Sequence, residues 1–261
     1  MKYYIVSDTH GFYSILKDAL FSSGFFDDPD PHRLVILGDL FDRGDEAAKM
    51  QDFVLSLMGE DQIILIRGNH EDLFVQLVTT DKGLPYHHHL SNGTYETALQ
   101  LTGFDYFSAH DCPLGLAAKG TQTPYYQRII PAMVDYYETK HYIFTHGWIP
   151  CIQERDGAYS FYSTWRDASP KDWMKARWIN GMDAARTAPD SEKTIVCGHW
   201  HTSYGHSLFE KRGSEFGPDA DFSPYYGPGI IAVDACTAYS KKVNVLIIND
   251  EDILVDASEQ D

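Results

Sequence analysis

Seven side chains able to bind a metal ion stand in five short clusters, and each cluster closes an apolar run. Tyr3-Tyr4-Ile5-Val6-Ser7 leads into Asp8-Thr9-His10, and Leu34-Val35-Ile36-Leu37-Gly38 into Asp39-Leu40-Phe41-Asp42-Arg43-Gly44. Ile63-Ile64-Leu65-Ile66-Arg67-Gly68 leads into Asn69-His70-Glu71. Tyr142-Ile143-Phe144-Thr145 leads into His146-Gly147, and Thr194-Ile195-Val196-Cys197-Gly198 into His199-Trp200-His201. Together Asp, Asn and His offer the mixed oxygen and nitrogen ligation that divalent ions accept. Two such ions about 3.5–4 Å apart can clamp a phosphoryl group, acidify a shared water and offset developing charge. That arrangement needs a bridging carboxylate and neutral imidazoles. Asp8, His10, Asp39, Asn69, His146, His199 and His201 supply those types. A lone histidine after a strand is usually a hydrogen-bonded structural residue. Candidates after five separate runs have no common packing explanation, so they predict a metal-assisted hydrolase.

The elements that must position them follow from the same runs. Continuous apolar stretches of this length suit strands buried on both faces. Loops at the carboxyl ends of such strands are where α/β sheets build binding sites. From residue 1 to about 80 strands alternate with helical patterns at 13–21, 45–58 and from about 71 onward, which predicts a parallel sheet with right-handed crossovers. Asp45 and Glu46 in the second helix and Glu71 in the third favour the helix dipole. Between about 81 and 140 the pattern loosens into an elaboration over the strand ends. It holds a turn-rich stretch with Gly83 and Pro85, His87-His88-His89 as a solvated loop, and weak helices at 94–101 and 131–139. Strands resume at 141–145 and 194–197, with a Trp-rich segment and a helix at 170–180 between them. After a Gly- and Pro-rich loop at 213–229, segments 230–233 and 243–248 read as paired strands, which 253–255 could extend. No repeat and no Pro- or Ser-rich linker divides the chain, so 1–261 reads as a single domain.

Composition narrows the function. The formal net charge of −17 opposes non-specific binding to a polyanion. It leaves room for a small anionic substrate, because bound ions reverse the local sign. Seventeen tyrosines are read as aromatic filling of the core and crevice walls rather than as a platform for bases. Cys112, Cys151, Cys197 and Cys236 show no paired spacing, and Cys197 and Cys236 read as buried small hydrophobes. With a strand at the very start and no secretion signal, a reduced cytoplasmic setting is expected. No stretch approaches the ~20 apolar residues of a membrane span.

The order of the clusters, D-T-H-G, G-D-L-F-D-R-G, R-G-N-H-E, T-H-G and G-H-W-H, resembles the calcineurin-like metallophosphoesterases. Within them it is similar to the phosphoprotein-phosphatase branch, of the bacterial serine/threonine phosphatase or diadenosine tetraphosphatase type. Gly38-Asp39-x-x-Asp42-Arg43-Gly44 and Gly68-Asn69-His70-Glu71 are the specific tokens, and Val233-Asp234-Ala235-Cys236-Thr237 resembles a late segment of the same enzymes. The resemblance implies a four-layer α/β/β/α sandwich of two mixed sheets. It implies that Asp8, His10 and Asp39 hold a first metal, with Asp39 bridging to a second held by Asn69, His146 and His199. Arg43 would bind phosphate oxygens, His70 would protonate the leaving oxygen, and Asp42 would orient that imidazole.

Two departures bear on substrate. His146-Gly147-Trp148 replaces the usual His-Gly-Gly, and the Trp would narrow the crevice or pack. His201 restores the Gly-x-His spacing of broader phosphoesterases, whose second His also binds the first metal. A further phosphate-binding arginine is expected before His199, with Arg177 the first choice and Arg166 the second. The implied cofactors are two divalent ions, Mn²⁺ foremost, with Fe, Zn, Co or Ni as alternatives. The implied activity is hydrolysis of phosphomonoesters, on a phosphorylated small molecule or a phosphoprotein, by direct attack of a metal-bound hydroxide. Hydrolysis of dinucleoside polyphosphates and of phosphodiesters are the alternatives within enzymes. A silent binding module on the same fold would have lost a ligand or the His-Asp pair, and all are present here.

Overall fold

Alternation at a period of two inside the apolar runs decides which layer each side chain enters. The computed structural model describes residues 1–79, 86–155, 157–187 and 192–252. In β1 (Lys2–Val6), Tyr3 and Ile5 face one core while Tyr4 and Val6 face another. The same split divides β2 (His32–Ile36) into Val35 on one side and Leu34 and Ile36 on the other. Parallel pairing of β1, β2 and β3 (Ile63–Leu65) builds the first sheet.

The second sheet is assembled from β4 (Tyr136–Glu138), β5 (Tyr142–Thr145), β8 (Thr194–Cys197), β9 (Tyr225–Gly227) and β10 (Ile230–Ala232), in the order β4-β5-β8-β10-β9. A short hairpin, β6 (Cys151–Gln153) with β7 (Tyr159–Phe161), stands apart from it. The final strand, β11 (Leu246–Asn249), returns to the first sheet and runs antiparallel to β1. Both large sheets are therefore mixed.

Three cores separate four layers. Tyr3, Ile5, Val35, Leu37 and Ile66 meet Phe144, Val196 and Val233 between the sheets. Burial of each such side chain contributes about 1.5–3 kcal/mol. Outside the first sheet lie α1 (Tyr13–Ser22), α2 (Ala47–Gly59) and α3 (Asn69–Thr79), joined by α4 (Tyr86–Asn92) and α5 (Thr94–Thr102). Outside the second, helices at Pro170–Ala176 and Gly181–Ala184 enclose a core built on Trp148, Trp165 and Trp173. Trp148 is fully buried there, so it packs and does not narrow the crevice. Among the described residues no helix is long and apolar enough to cross a membrane.

Several expectations are corrected. The helix expected over 131–139 is not formed: a π-helical turn and one short helical turn end at Ala132, and β4 follows. Alternation explains it, since Tyr136 stacks on Trp173 in the outer core while Tyr137 stacks on Phe144 between the sheets. The helix expected over 170–180 stops at Ala176, because Asn180 caps a separate helix with its side chain accepting from Met182 N. Segments 230–233 and 243–248 do not pair with each other, because β10 joins β8 and β11 joins β1. Asn244 marks the crossing, donating to Val233 O at 3.1 Å. His87-His88-His89 lies on α4 rather than in a loop, with His89 fully buried. Gly83, Pro85 and 253–255 lie outside the described residues.

At the sheet edge where β1 and β5 begin, Asp250 clasps both sheets. Its backbone exchanges hydrogen bonds with Met1 at 2.9 and 3.1 Å, and its carboxylate accepts from His141 N at 2.8 Å and His141 Nδ1 at 2.7 Å. Burial favours the neutral acid, but the hydrogen bonds from His141 outweigh it and pull Asp250 down to about 2. A carboxylate depressed in the folded state stabilises fully above its unfolded pKa near 3.8 and loses that contribution as pH falls through about 2. Asp250→Asn should therefore cost about 1–2 kcal/mol at neutral pH, allowing for solvent screening at the exposed His141. The deficit against the parent protein should shrink between pH 4 and 2 in urea titrations. A deficit that stays constant across that range would contradict the assignment.

Candidate metal centre

Six residues at the strand ends hold backbone that side chains rarely adopt. Asp8, His10, Asp39, Asp42, Arg43 and His199 have φ of 50°, 47°, 52°, 75°, 77° and 65°. Each such residue costs about 1–3 kcal/mol and persists only where its surroundings over-determine it. Here the surroundings are interlocked loops. His10 N donates to Asp39 O at 3.0 Å, Gly11 N to Leu40 O at 2.7 Å, and Gly44 N to His10 O at 2.8 Å.

Glu71, in the first turn of α3, ties two loops together. Its carboxylate accepts from Asp39 N and Leu40 N at 3.0 Å, Gly68 N at 2.7 Å and Tyr125 Oη at 3.1 Å. This is more than a charge near a helix dipole: it fixes the loop that carries Asp39. Gly38, at φ 88°, lets the loops close, since a Cβ there would lie 2.6 Å from Gly68 N and 2.8 Å from His146 Nδ1.

The donors converge in two groups that share Asp39: one with His10 and His70, the other with His146 and His199. His146 Nε2 stands 3.4 Å from Asp39 Oδ1, and His10 Nε2 stands 4.0 Å from Asp39 Oδ2. His10 Nδ1 donates to Phe41 O at 2.9 Å and His146 Nδ1 to Leu37 O at 2.6 Å. A carbonyl only accepts, so in the neutral imidazole each Nε2 turns a lone pair toward the site. At His146 that lone pair meets Asn69 Oδ1 at 2.8 Å, so two acceptors face one point beside a carboxylate. Asp8 closes the cluster, with Oδ1 3.9 Å from His10 Nε2 and Oδ2 accepting from His199 N at 2.9 Å and from Ser7 Oγ.

Electrostatics sort the imidazoles. Burial holds His10 well below the usual histidine range, reinforced by Arg43, and does the same to His199, reinforced by His146. His70 goes the other way: burial opposes its charge, but Asp39 and Asp42 outweigh burial and raise it. Burial pushes Asp39 well up, as do the nearby charges of Asp8 and Glu71. Neutral imidazoles around a carboxylate form the donor set that a divalent cation requires, so these residues fit the ions.

His70, in the first donor group, is also tied to a carboxylate of its own. Its Nδ1 donates to Asp42 Oδ2 at 2.6 Å, while its Nε2 lies 3.8 Å from Asp39 Oδ2. Asp42 in turn accepts from Thr94 Oγ1 at 2.7 Å and Thr97 Oγ1 at 2.6 Å. These threonines come from α5, within the elaboration, and no sequence signal pointed to them. Arg43 spans the gap, with Nη1 2.9 Å from His10 Nε2 and Nη2 3.4 Å from His70 Nε2.

A cavity of about 220 Å³ opens over this cluster. His201 lines it but stands outside both donor groups, because its Nε2 engages Glu215 at 2.8 Å. Neither arginine expected on phosphate lines it. Arg177 is buried against Asp72 at 2.5 Å and against Asp135, and Arg166 pairs with Glu138 at 2.9 Å while lying over the Trp165 ring. Those carboxylates, distant in sequence, claim the two guanidinium groups. Asp234 and Cys236, in the late segment that the resemblance singled out without a role, also line the cavity, and Cys236 is half-buried rather than the buried hydrophobe expected. Burial and the Asp8 charge raise Asp234 well above the carboxylate range.

Residues 1–233 match the calcineurin-like phosphoesterase family, and the chain belongs to it. It is a metal-dependent phosphoesterase, with divalent ions at the buried His/Asp centre. Solved structures share the fold. A cold-active protein-tyrosine phosphatase of a psychrophilic Shewanella is 16% identical, with TM-score 0.52 over 95% of this chain and 75% of that one. A protein serine/threonine phosphatase from Saccharomyces cerevisiae is 13% identical, with TM-score 0.52 over 97% and 80%. No match was found among curated proteins.

Glu71→Gln places an amide where amide donors now converge. It should lower stability by about 1.5–3 kcal/mol, the range for one charged hydrogen bond, and reduce bound metal per chain measured by elemental analysis. Full metal content with unchanged stability would remove Glu71 from this role.

Proposed function

We propose that the protein hydrolyses phosphomonoesters, phosphoserine and phosphothreonine among them, with His70 as the general acid. The observation that carries this reading is the placement of His70. One ring nitrogen is held by Asp42 at 2.6 Å, and the other faces the carboxylate shared by both donor groups. Asp8, His10 and Asp39 would hold one ion, and Asp39, Asn69, His146 and His199 the other, with Mn²⁺ the first choice. When bound, the ions would supply positive charge to offset that of the phosphoryl group and would acidify a water ligand.

The remaining work falls to side chains. Arg43, lining the cavity, would bind phosphoryl oxygens through its planar fork. His70 passes its Nε2 proton to the leaving oxygen, and Asp42 holds the Nδ1 proton and favours the charged ring. His201 forms part of the cavity wall, held there by Glu215.

Chelator-stripped protein should lose hydrolysis and recover it with Mn²⁺. In metal-loaded enzyme, His70→Asn should keep the metal content yet lower kcat about 10²–10⁴-fold on alkyl phosphates. The loss should be smaller on nitrophenyl phosphate, whose leaving group needs little protonation. Equal losses on both substrates would exclude His70 as the acid. A higher kcat/KM on diadenosine tetraphosphate than on every monoester tested would overturn the substrate class.

A further inference from the structure

Aromatic rings continue outward from the metal centre without a break. Trp178 meets His199 edge-on at 5.9 Å between ring centroids, and Trp200 meets it at 6.0 Å. Trp200 stacks on His201 at 5.9 Å, Phe216 lies 4.8 Å from His201, and Tyr239 lies 5.4 Å from Phe216. Trp178, Phe216 and Tyr239 leave 46%, 48% and 52% of their surfaces exposed. Single exposed aromatics are ordinary on protein surfaces. These form one band that begins at a cavity-lining histidine.

The band is also held in place. Gly147 admits the segment carrying Trp178, because a Cβ there would stand 2.6–2.8 Å from the carbonyls of Ala176, Arg177 and Ile179. The neighbouring Arg177 is anchored by Asp72 and Asp135. At the outer end, Glu215 bonds His201, its carbonyl accepts from Ser203 Oγ at 2.7 Å, and Gly217 N donates to Tyr239 Oη at 3.1 Å. Rings fixed before binding lose little entropy when a ligand stacks on them.

We propose that this band is a stacking subsite for a flat aromatic ring carried by the phosphoester; the inference rests on reading the site as a phosphomonoesterase. Charge points the same way. Among the described residues lining the cavity, Arg43 is the sole Lys or Arg, and Glu215 sits exposed beside Phe216. A neutral ring next to one phosphate suits that wall better than a chain of further anions. The ring could come from a phosphotyrosine side chain or from a nucleobase, since both present a π face.

Benzyl phosphate and cyclohexylmethyl phosphate match in size and in leaving-group type, and differ in aromaticity. Metal-loaded enzyme should show a KM on the order of tenfold lower for benzyl phosphate, the scale of one stacked ring. Phe216→Leu should raise the benzyl KM several-fold, and leave kcat and methyl phosphate hydrolysis unchanged. Trp178→Leu gives a second variant at the inner end. Equal KM values for the two substrates, or a benzyl preference untouched by both variants, would overturn the subsite. Phosphotyrosine and a nucleoside 5′-monophosphate separate the sources: the one whose KM rises in Phe216→Leu supplies the ring, and a response from neither overturns the proposal. Absence of hydrolysis on all three simple phosphates would instead defeat the phosphomonoesterase reading. Quenching of tryptophan fluorescence by benzylphosphonate, against cyclohexylmethylphosphonate, still reads the ring preference in that event.

Discussion

A buried carboxylate shared by two sets of imidazoles sets the terms for everything around it. Asp39 lies within both donor groups, nearly without solvent, and close to the charges of Asp8 and Glu71. Its position is unfavourable for an isolated anion, because burial penalises the charged form. The fold keeps it there by fixing the backbone first. Glu71 and the crossed hydrogen bonds of the first two loops hold left-handed residues that would otherwise relax. The side chains then have few directions in which to point. Rigidity of this kind is what a metal centre needs, since ligand geometry must exist before the ion arrives.

Charge distribution follows from the same constraint. Burial lowers the proton affinity of His10 and His199, whereas two carboxylates raise that of His70 a few ångströms away. Identical side chains in one small volume thus differ in proton affinity because of their immediate partners. Asp42 depends on Thr94 and Thr97, so the elaborated segment is joined to the centre through two hydroxyl groups. Helices that look peripheral in the chain order therefore help set the orientation of an imidazole in the site.

Much of this was legible in the sequence where a local pattern carried it. Apolar runs ending on Asp, Asn and His located the strands and the donors, because both features lie within ten consecutive residues. Interactions between distant segments were not legible. Tyr136 and Tyr137 read as part of a helix until Trp173 and Phe144 are seen on opposite sides of them. The segment ending at Ile248 read as the partner of 230–233, although β1 offers a free edge in the other sheet. Arg177 suited a phosphate role by its spacing, but the carboxylates that claim it lie far off in the chain. Thr94 and Thr97 carry no signature of their own, since a hydroxyl gains meaning only from what it faces.

Provenance of the donors across the sandwich has a mechanical consequence. Asp8, His10, Asp39 and Asn69 follow strands of the first sheet, whereas His146 and His199 follow strands of the second. The centre therefore straddles a seam, and the apolar filling between the sheets acts as a spacer beneath it. Packed interiors resist compression and transmit strain. Thickness of that filling, set by side chains such as Phe144 and Val196, thus becomes a determinant of how far apart the two halves of the centre stand. Spacing of the donor side chains is in this sense a property of the sheet interface, open to adjustment from positions that never meet a substrate.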